Sequence, residues 1–345
     1  MVDGIQSLDT ERLHNYLQSV LPSIAGPLSV EKFSGGQSNP TFKITDAAGY
    51  HCVLRKQPPG ELLKSAHAVD REYRVMHALS GTDVPVPAMI HLCEDREVLG
   101  ALFFIMEYIP GRTLWDCTLP SLTKTERSKT YDEINRVLAT LHDIDINKAG
   151  LSNYGRPGNY YSRQLNRWTE QYKATEFEPI ADMNWLISWL QEHLPQDDGS
   201  VSLVHGDFRL DNLRYHTANP QVVAVLDWEL STLGHPLTDL ANHCMQQRLP
   251  ESNDNLAGLA GKDLKALGIP TEQEFIARYC ERRNLERIEH WSFYLTFSFF
   301  RLASILQGVA KRGREGNASN ENALSLYHRV APLAAMAKDI ASGKE

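Results

Sequence analysis

The stretch that most constrains this chain is Leu203-Val204-His205-Gly206-Asp207-Phe208-Arg209-Leu210-Asp211-Asn212-Leu213, followed fifteen residues after Asn212 by Asp227 in Val225-Leu226-Asp227-Trp228. An apolar approach, Leu203 and Val204, runs into a polar loop. Two short β-prone runs follow, Leu213 to Tyr215 and Val222 to Leu226, and His216-Thr217-Ala218-Asn219-Pro220 between them has turn composition. The runs are therefore expected to pair as a hairpin that folds Asp227 back beside Asn212 and Asp207.

Two carboxylates and an amide brought together in this way suit phosphoryl transfer. Mg²⁺ is a hard cation bound by oxygen, usually from one or two carboxylates and substrate phosphates, and Asn212 and Asp227 are its candidate ligands. A further carboxylate must orient the attacking hydroxyl and take its proton. Asp207, five residues before Asn212, is the candidate base. Protein kinases use the same Asp-x4-Asn spacing followed by a metal-binding Asp. Here the pattern is His-Gly-Asp-x4-Asn, with Asp227-Trp228-Glu229 where a protein kinase has Asp-Phe-Gly.

At these residues the chain resembles the aminoglycoside phosphotransferase-like family of small-molecule kinases. The wording from His205 to Asn212 is similar to the kinase-like domain of some acyl-CoA dehydrogenase family proteins. The resemblance implies an α+β, two-lobed protein-kinase-like fold. A small β-rich N-lobe with one main helix would span 1–108, and a larger, mainly helical C-lobe would span 109–345.

A length of 345 residues suits two lobes, and 42% hydrophobic with 23% charged residues is ordinary for a globular protein. A net charge of −8 argues against the concentrated basic footprint of a nucleic-acid binder. Cys52, Cys93, Cys117, Cys244 and Cys280 are scattered and lack Cys-x-x-Cys spacing, so neither a disulfide framework nor a zinc site is expected, and a cytoplasmic setting fits. The first residues carry Asp3, Asp9, Glu11 and Arg12 without an apolar core, so no signal peptide is expected. The most apolar run, Phe293 to Phe300, stops at Arg301, too short for a bilayer, and no membrane partner is expected.

In the N-lobe, Ser7 to Val20 reads as an amphipathic helix with Leu8, Leu13, Tyr16, Leu17 and Val20 at helical spacing. The run from Val30 to Ile44 is a strand-turn-strand pattern. Gly35 and Gly36 let backbone N–H groups approach phosphate oxygens, and Ser38 and Asn39 add polar contacts. Tyr50 to Lys56 is the next strand, where a kinase fold requires a cation for the phosphates. Alternation puts Val53 and Arg55 on one face and Leu54 and Lys56 on the other. With Val53 roofing the adenine, Arg55 faces the nucleotide; Lys56 is the alternative. Ala68 to Leu79 reads as a helix whose buried stripe is Val69, Tyr73, Met76 and Leu79. Its Glu72 is the candidate partner of the strand cation. Val84 to Pro87 and Val98 to Gly111 supply a further strand and a Pro-Gly exit. In a kinase architecture Met106 backs the adenine pocket, while the backbone of Glu107, Tyr108 and Ile109 offers it hydrogen bonds.

The C-lobe reads as helical. Thr123-x-x-Glu126 and Thr271-x-x-Glu274 are capping boxes, the first opening a helix to about His142 with Ile134, Val137, Leu138 and Leu141 inward. Tyr160 to Tyr172 and Met183 to His193 are further helices, and Phe293 to about Val309 is a buried one followed by a basic loop, Lys311 to Arg314. His205 is expected to orient its loop, Arg209 to meet Asp207 or phosphate, and Asp211 to brace the turn. Thr238-Asp239 reads as a helix cap, with Asp239 a buried brace for the catalytic loop.

These features converge on an ATP- and Mg²⁺-dependent phosphotransferase acting on a small-molecule hydroxyl. The resemblance leaves the acceptor open between an aminoglycoside and another metabolite hydroxyl, such as a hydroxylated acyl compound. Arginine in place of lysine, and the missing glycine after Asp227, keep open a nucleotide-binding partner protein without turnover. A two-metal phosphoesterase needs more histidine and carboxylate ligands than this cluster holds.

Overall fold

The computed structural model describes residues 8–33, 39–58, 67–252, 256–316 and 323–344. The elements up to the middle of the chain are α1 (Thr10–Val20), β1 (Ser29–Lys32), β2 (Thr41–Thr45), β3 (His51–Lys56), α2 (Val69–Leu79), β4 (Met89–Cys93), α3 (Arg96–Leu99), β5 (Phe103–Glu107), β6 (Arg112–Thr113), α4 (Lys124–His142), α5 (Tyr160–Ala174) and α6 (Ala181–Glu192). Then follow β7 (Ser202–Val204), β8 (Leu213–Tyr215), β9 (Val222–Val225), β10 (Thr232–Gly234), α7 (Leu237–Arg248), α8 (Leu264–Leu267), α9 (Glu272–Arg283), α10 (Trp291–Arg314) and α11 (Val330–Ala341). They form two units. The first comprises Met1–Arg112, Arg214–Thr217 and Val223–Ser231, the second Thr113–Leu213, Ala218–Val222 and Thr232–Glu345.

The first unit is built on an antiparallel sheet of order β1-β2-β3-β5-β4. β3 lies between β2 and β5, and every residue from Cys52 to Lys56 is buried. α1 begins at Thr10 because Asp9 caps it, accepting from the Arg12 N–H at 2.9 Å; the expected start at Ser7 lies outside the described residues. Leu13 and Leu17, one turn apart, join Phe42, Ile44, Leu54, Phe103 and Ile105 in the core. In α2 the buried stripe includes Val75, while Tyr73 is only half-buried. The strand expected from Val98 instead begins as α3. Asp95 caps that turn and Gly100 closes it at φ 75°, so β5 starts at Phe103. Val84 to Pro87 is not a strand, since prolines cannot donate to a ladder, and the edge strand is β4 instead. β8 and β9 are neighbours in a sheet of order β6-β8-β9, in agreement with the turn composition between them.

The second unit is mainly helical. α4 and α9 open with both predicted capping boxes, each Thr hydroxyl accepting from the Glu backbone while the Glu carboxylate reaches back to the Thr N–H. α10 is its central element, packed on α5, α6, α7 and α11. Its 24 residues are long and apolar enough to cross a bilayer, which the Phe293 to Phe300 run alone did not suggest; 78% of its most apolar window is buried. Lys311 to Arg314 form its last turn rather than a loop, with Lys311 Nζ donating to the Ala174 carbonyl at 2.8 Å. Cations there oppose the negative end of the helix dipole.

Candidate active site

In the first unit β3 and α2 bring Arg55 onto Glu72. The Arg55 Nε donates to Glu72 Oε2 at 2.8 Å, Nη2 to Asp227 Oδ1 at 2.6 Å and Nη1 to Thr41 Oγ1 at 3.3 Å. Lys56 points away, its Nζ on the Leu99 carbonyl at 3.3 Å. Asp227 stands at φ 65°, ψ 58°, a left-handed conformation that aspartate tolerates better than most residues. Burial works against the Arg55 charge, yet Glu72, Asp227 and Glu229 together hold its pKa above the ordinary arginine value. Burial pushes the Glu72 carboxyl up to about 7 against the pull of Arg55, with Asp227 and Glu229 adding to the push. The 2.8 Å contact marks an ionic pair all the same. The Arg55 guanidinium thus meets the carboxylates of Glu72 and Asp227, with Glu229 adding to the negative field. This cluster is not a metal site by itself, since among the described residues no group of three or more His, Cys, Asp or Glu could hold an ion, but its oxygens are of the hard kind that Mg²⁺ takes. Asp227 is its open member, with a side chain 36% exposed against 2% for Glu72.

The other nucleotide candidates of this unit are spread along the sheet. Gly35, Gly36 and Ser38 lie outside the described residues. Asn39 is buried; its Oδ1 faces His67 Nδ1 at 3.1 Å and its Nδ2 has no partner among the described residues. Val53 and Met106, both buried, are partners across β3 and β5. The Glu107 N–H donates to the Ala88 carbonyl at 2.9 Å and its carboxylate takes the Ala88 N–H at 3.2 Å. That amide is therefore already engaged; Tyr108 and Ile109, next along the chain, are half-buried. Lys43 Nζ lies 4.7 Å from the centre of the Tyr108 ring.

In the second unit β7 delivers the chain into His205 to Asn212, and Leu210–Asn212 close the loop as a single 3₁₀ turn. Asn212 Nδ2 donates to the Asp207 carbonyl at 2.9 Å and to its carboxylate Oδ2 at 3.1 Å. Its Oδ1, the atom a hard cation takes, is left out of that contact. Arg209 grips Asp211 through Nε at 3.1 Å and Nη2 at 2.8 Å, a contact that braces the turn.

Behind the loop lies a buried brace. Asp239, fully buried on α7, accepts from the His205 N–H at 2.7 Å and the Gly206 N–H at 2.8 Å. α7 is preceded by Pro236 at its cap position, so Thr238-Asp239 is not the cap; the Thr238 hydroxyl donates to Tyr161. His142, at the end of α4, sits 3.3 Å from Asp239 through Nε2 and 2.7 Å from the Tyr279 hydroxyl through Nδ1. Burial opposes the Asp239 charge, but His142, His205 and the backbone hold its carboxyl below the usual range. Burial also lowers the His142 pKa. A neutral imidazole donating to a carboxylate, and accepting from tyrosine, satisfies all three groups. The sequence marks His142 as a polar helix end and Tyr279 as an inward residue of the helix opened at Thr271, but marks neither as a partner of Asp239. The one signal was a histidine directly after the buried stripe of α4.

Residues 29–275 match the family described as the phosphotransferase enzyme family. The chain belongs to that family. Mouse acyl-CoA dehydrogenase family member 10 is 44% identical over 337 residues, covering 97% of this chain and 31% of the relative, so the chain spans about a third of that relative's length. The crystal structure of a provisionally named aminoglycoside phosphotransferase from Ralstonia eutropha is 48% identical, with a TM-score of 0.88 over 98% of this chain and 99% of that one. A thermostable mutant of another aminoglycoside phosphotransferase, in ternary complex with ADP and hygromycin B, shares the fold at 14% identity, with a TM-score of 0.62 over 96% of this chain and 98% of that one. The chain thus has the kinase-like fold of the phosphotransferase family, with an antiparallel-sheet N-terminal region and a helical C-terminal one.

Proposed function

We propose that this chain is an active phosphotransferase that moves the γ-phosphate of ATP to a hydroxyl of a small molecule with the help of Mg²⁺. The observation that carries the reading is the Asn212 amide seated on the Asp207 carboxylate. It keeps the carboxylate oriented and leaves an amide oxygen for a metal. In this reading Asp207 aligns the acceptor hydroxyl and takes its proton as the new O–P bond forms. Asn212 and Asp227 are the residues that would hold Mg²⁺, which would supply charge neutralisation at the nucleotide phosphates. Arg55 holds the phosphates while Glu72 fixes the direction of its guanidinium. Val53 and Met106 line the adenine site, and the backbone at Tyr108 and Ile109 pairs with the base. The ADP complex of a structural neighbour supports the nucleotide assignment. The acyl-CoA dehydrogenase relatives support a hydroxylated acyl acceptor as much as an aminoglycoside one.

One observation favours a nucleotide-binding protein without turnover: Arg55 and Asp227, the phosphate cation and the metal ligand, already bind each other at 2.6 Å. A single experiment separates the two. ADP release from Mg·ATP is followed across pooled hydroxyl metabolites, and products are identified by mass. Asp207→Ala and Asp227→Ala are each expected to lower turnover by about 100-fold or more, with Asp207→Ala keeping its affinity for Mg·ATP. Tight nucleotide binding without turnover on any pool moves the protein to the second reading. A wild type that does not bind Mg·ATP at all sinks both.

A further inference from the structure

The peptide unit joining Gly206 to Asp207 is held at both ends. Its carbonyl, on Gly206, accepts from Arg301 Nη2 at 2.8 Å. Its N–H, on Asp207, donates to His205 Nδ1 at 3.2 Å. The two preceding N–H groups are taken by Asp239. Gly206 stands at φ 84°, a conformation glycine enters without strain but does not hold by itself, because no Cβ restricts it. The direction in which Asp207 leaves the backbone is therefore set by side chains around the peptide. His205 and Asp239 belong to the loop and its brace. Arg301 comes from the middle of α10, an element otherwise read as core.

The surroundings of Arg301 suit this task better than a salt bridge. Among the described residues it forms no ion pair with a carboxylate. Its Cζ lies 5.6 Å from the centre of the Trp168 ring, and Trp168 is buried on α5 with its Nε1 on Gln164 at 3.2 Å. The ring face attracts the cation and gives its planar fork one orientation. The charge then strengthens the hydrogen bond to a neutral carbonyl.

We infer that Arg301 is a positioning residue for Asp207: it clamps the Gly206 carbonyl, with Trp168 holding the clamp, so that the Asp207 carboxylate keeps one direction. The inference rests on Asp207 being the base. A displaced base loses near-attack geometry, and a shift of about 1 Å costs roughly 100-fold in rate.

The test compares Arg301→Ala, Arg301→Lys and wild type by ADP release from Mg·ATP with whichever acceptor pool turns over. Hydrogen exchange of the peptide covering 203–213 is measured beside it. Arg301→Ala is expected to lower kcat roughly 10- to 100-fold while KM for Mg·ATP holds. Added guanidinium ion should restore part of that kcat, and none of the kcat of Asp207→Ala. Arg301→Lys keeps a donor without the planar face and should fall between. Exchange should quicken in the 203–213 peptide without quickening along α10. An unchanged kcat in Arg301→Ala overturns the inference. So does a fall that guanidinium does not restore and that comes with faster exchange throughout α10, the mark of a merely structural residue. If the alanine variant does not fold, Arg301→Lys decides, and unchanged kcat and loop exchange there overturn the inference. If wild type releases no ADP with any acceptor, the reading of Asp207 as base fails separately. Exchange in 203–213 then decides the clamp, and an unchanged rate in the variants overturns it.

Discussion

His243 is closed in by aromatic rings, stacked on Phe275 with centres 4.5 Å apart and edge-on to Tyr131 and Phe208. Its Nδ1 has no partner among the described residues. Burial pushes its pKa down to about 4 from an ordinary 6.5, so the folded protein keeps the ring neutral where the unfolded chain would protonate it. The stabilisation is whole above pH 6.5 and is lost as pH falls towards 4, by on the order of 3 kcal/mol. His142 and His235, also lowered by burial, act in the same direction. Urea midpoints at pH 7, 5.5 and 4.5 should fall steeply for wild type and less steeply for His243→Leu; parallel slopes would contradict the assignment. Such residues are hard to read from sequence, because their partners come from distant segments. His142 shows this too: Asp239 and Tyr279 lie 97 and 137 positions away, and a helix terminus explains a polar residue equally well. Arg55 was legible for the opposite reason. Period-two alternation puts it on the face of Val53, leaving Lys56 as the alternative, and Glu72 on the next helix is the partner it meets.

At the scale of elements, legibility followed local hydrogen bonding. The boxes at Thr123 and Thr271 complete themselves within four residues, and both helices begin where those residues say. Thr123→Ala and Thr271→Ala should each lower stability by about 1 kcal/mol, whereas Thr123→Asn should stay within a few tenths. Denaturant midpoints at neutral pH measure this, and an alanine variant as stable as wild type would show that the box is dispensable. Where two structures compete for one apolar run, local signals were not enough. Val98 and Leu99 suit a strand, but the Asp95 cap before them and Gly100 after them close a single helical turn instead. α10 runs to Arg314 because its apolar faces are covered by α5, α6, α7 and α11, a property of the packed unit rather than of any window along it.

At the scale of the whole molecule, the kinase-like fold was legible because the order of motifs along the chain is itself a fold signature, whereas Arg301 and Trp168 belong to helices that carry no motif. The two units differ in a way that thiol chemistry can read. All five cysteines are free and buried, Cys52 and Cys93 in the first unit and Cys117, Cys244 and Cys280 in the second. Burial raises the thiol pKa of Cys52 and Cys117 to about 11 and lifts Cys244 and Cys280 as well, so the reactive thiolate is scarce at neutral pH and shielded besides. Native protein is therefore expected to resist an aromatic disulfide reagent at all five positions, and each thiol should label only when its unit opens. With labelling resolved by mass spectrometry across a urea series, Cys52 and Cys93 should react together, as should Cys117, Cys244 and Cys280. Saturating Mg·ATP should delay the first pair, since a ligand that binds only the folded unit stabilises it by mass action. A cysteine that labels in native buffer at the rate of a free thiol would refute its burial. A first pair that gains no protection from Mg·ATP would refute nucleotide binding by that unit.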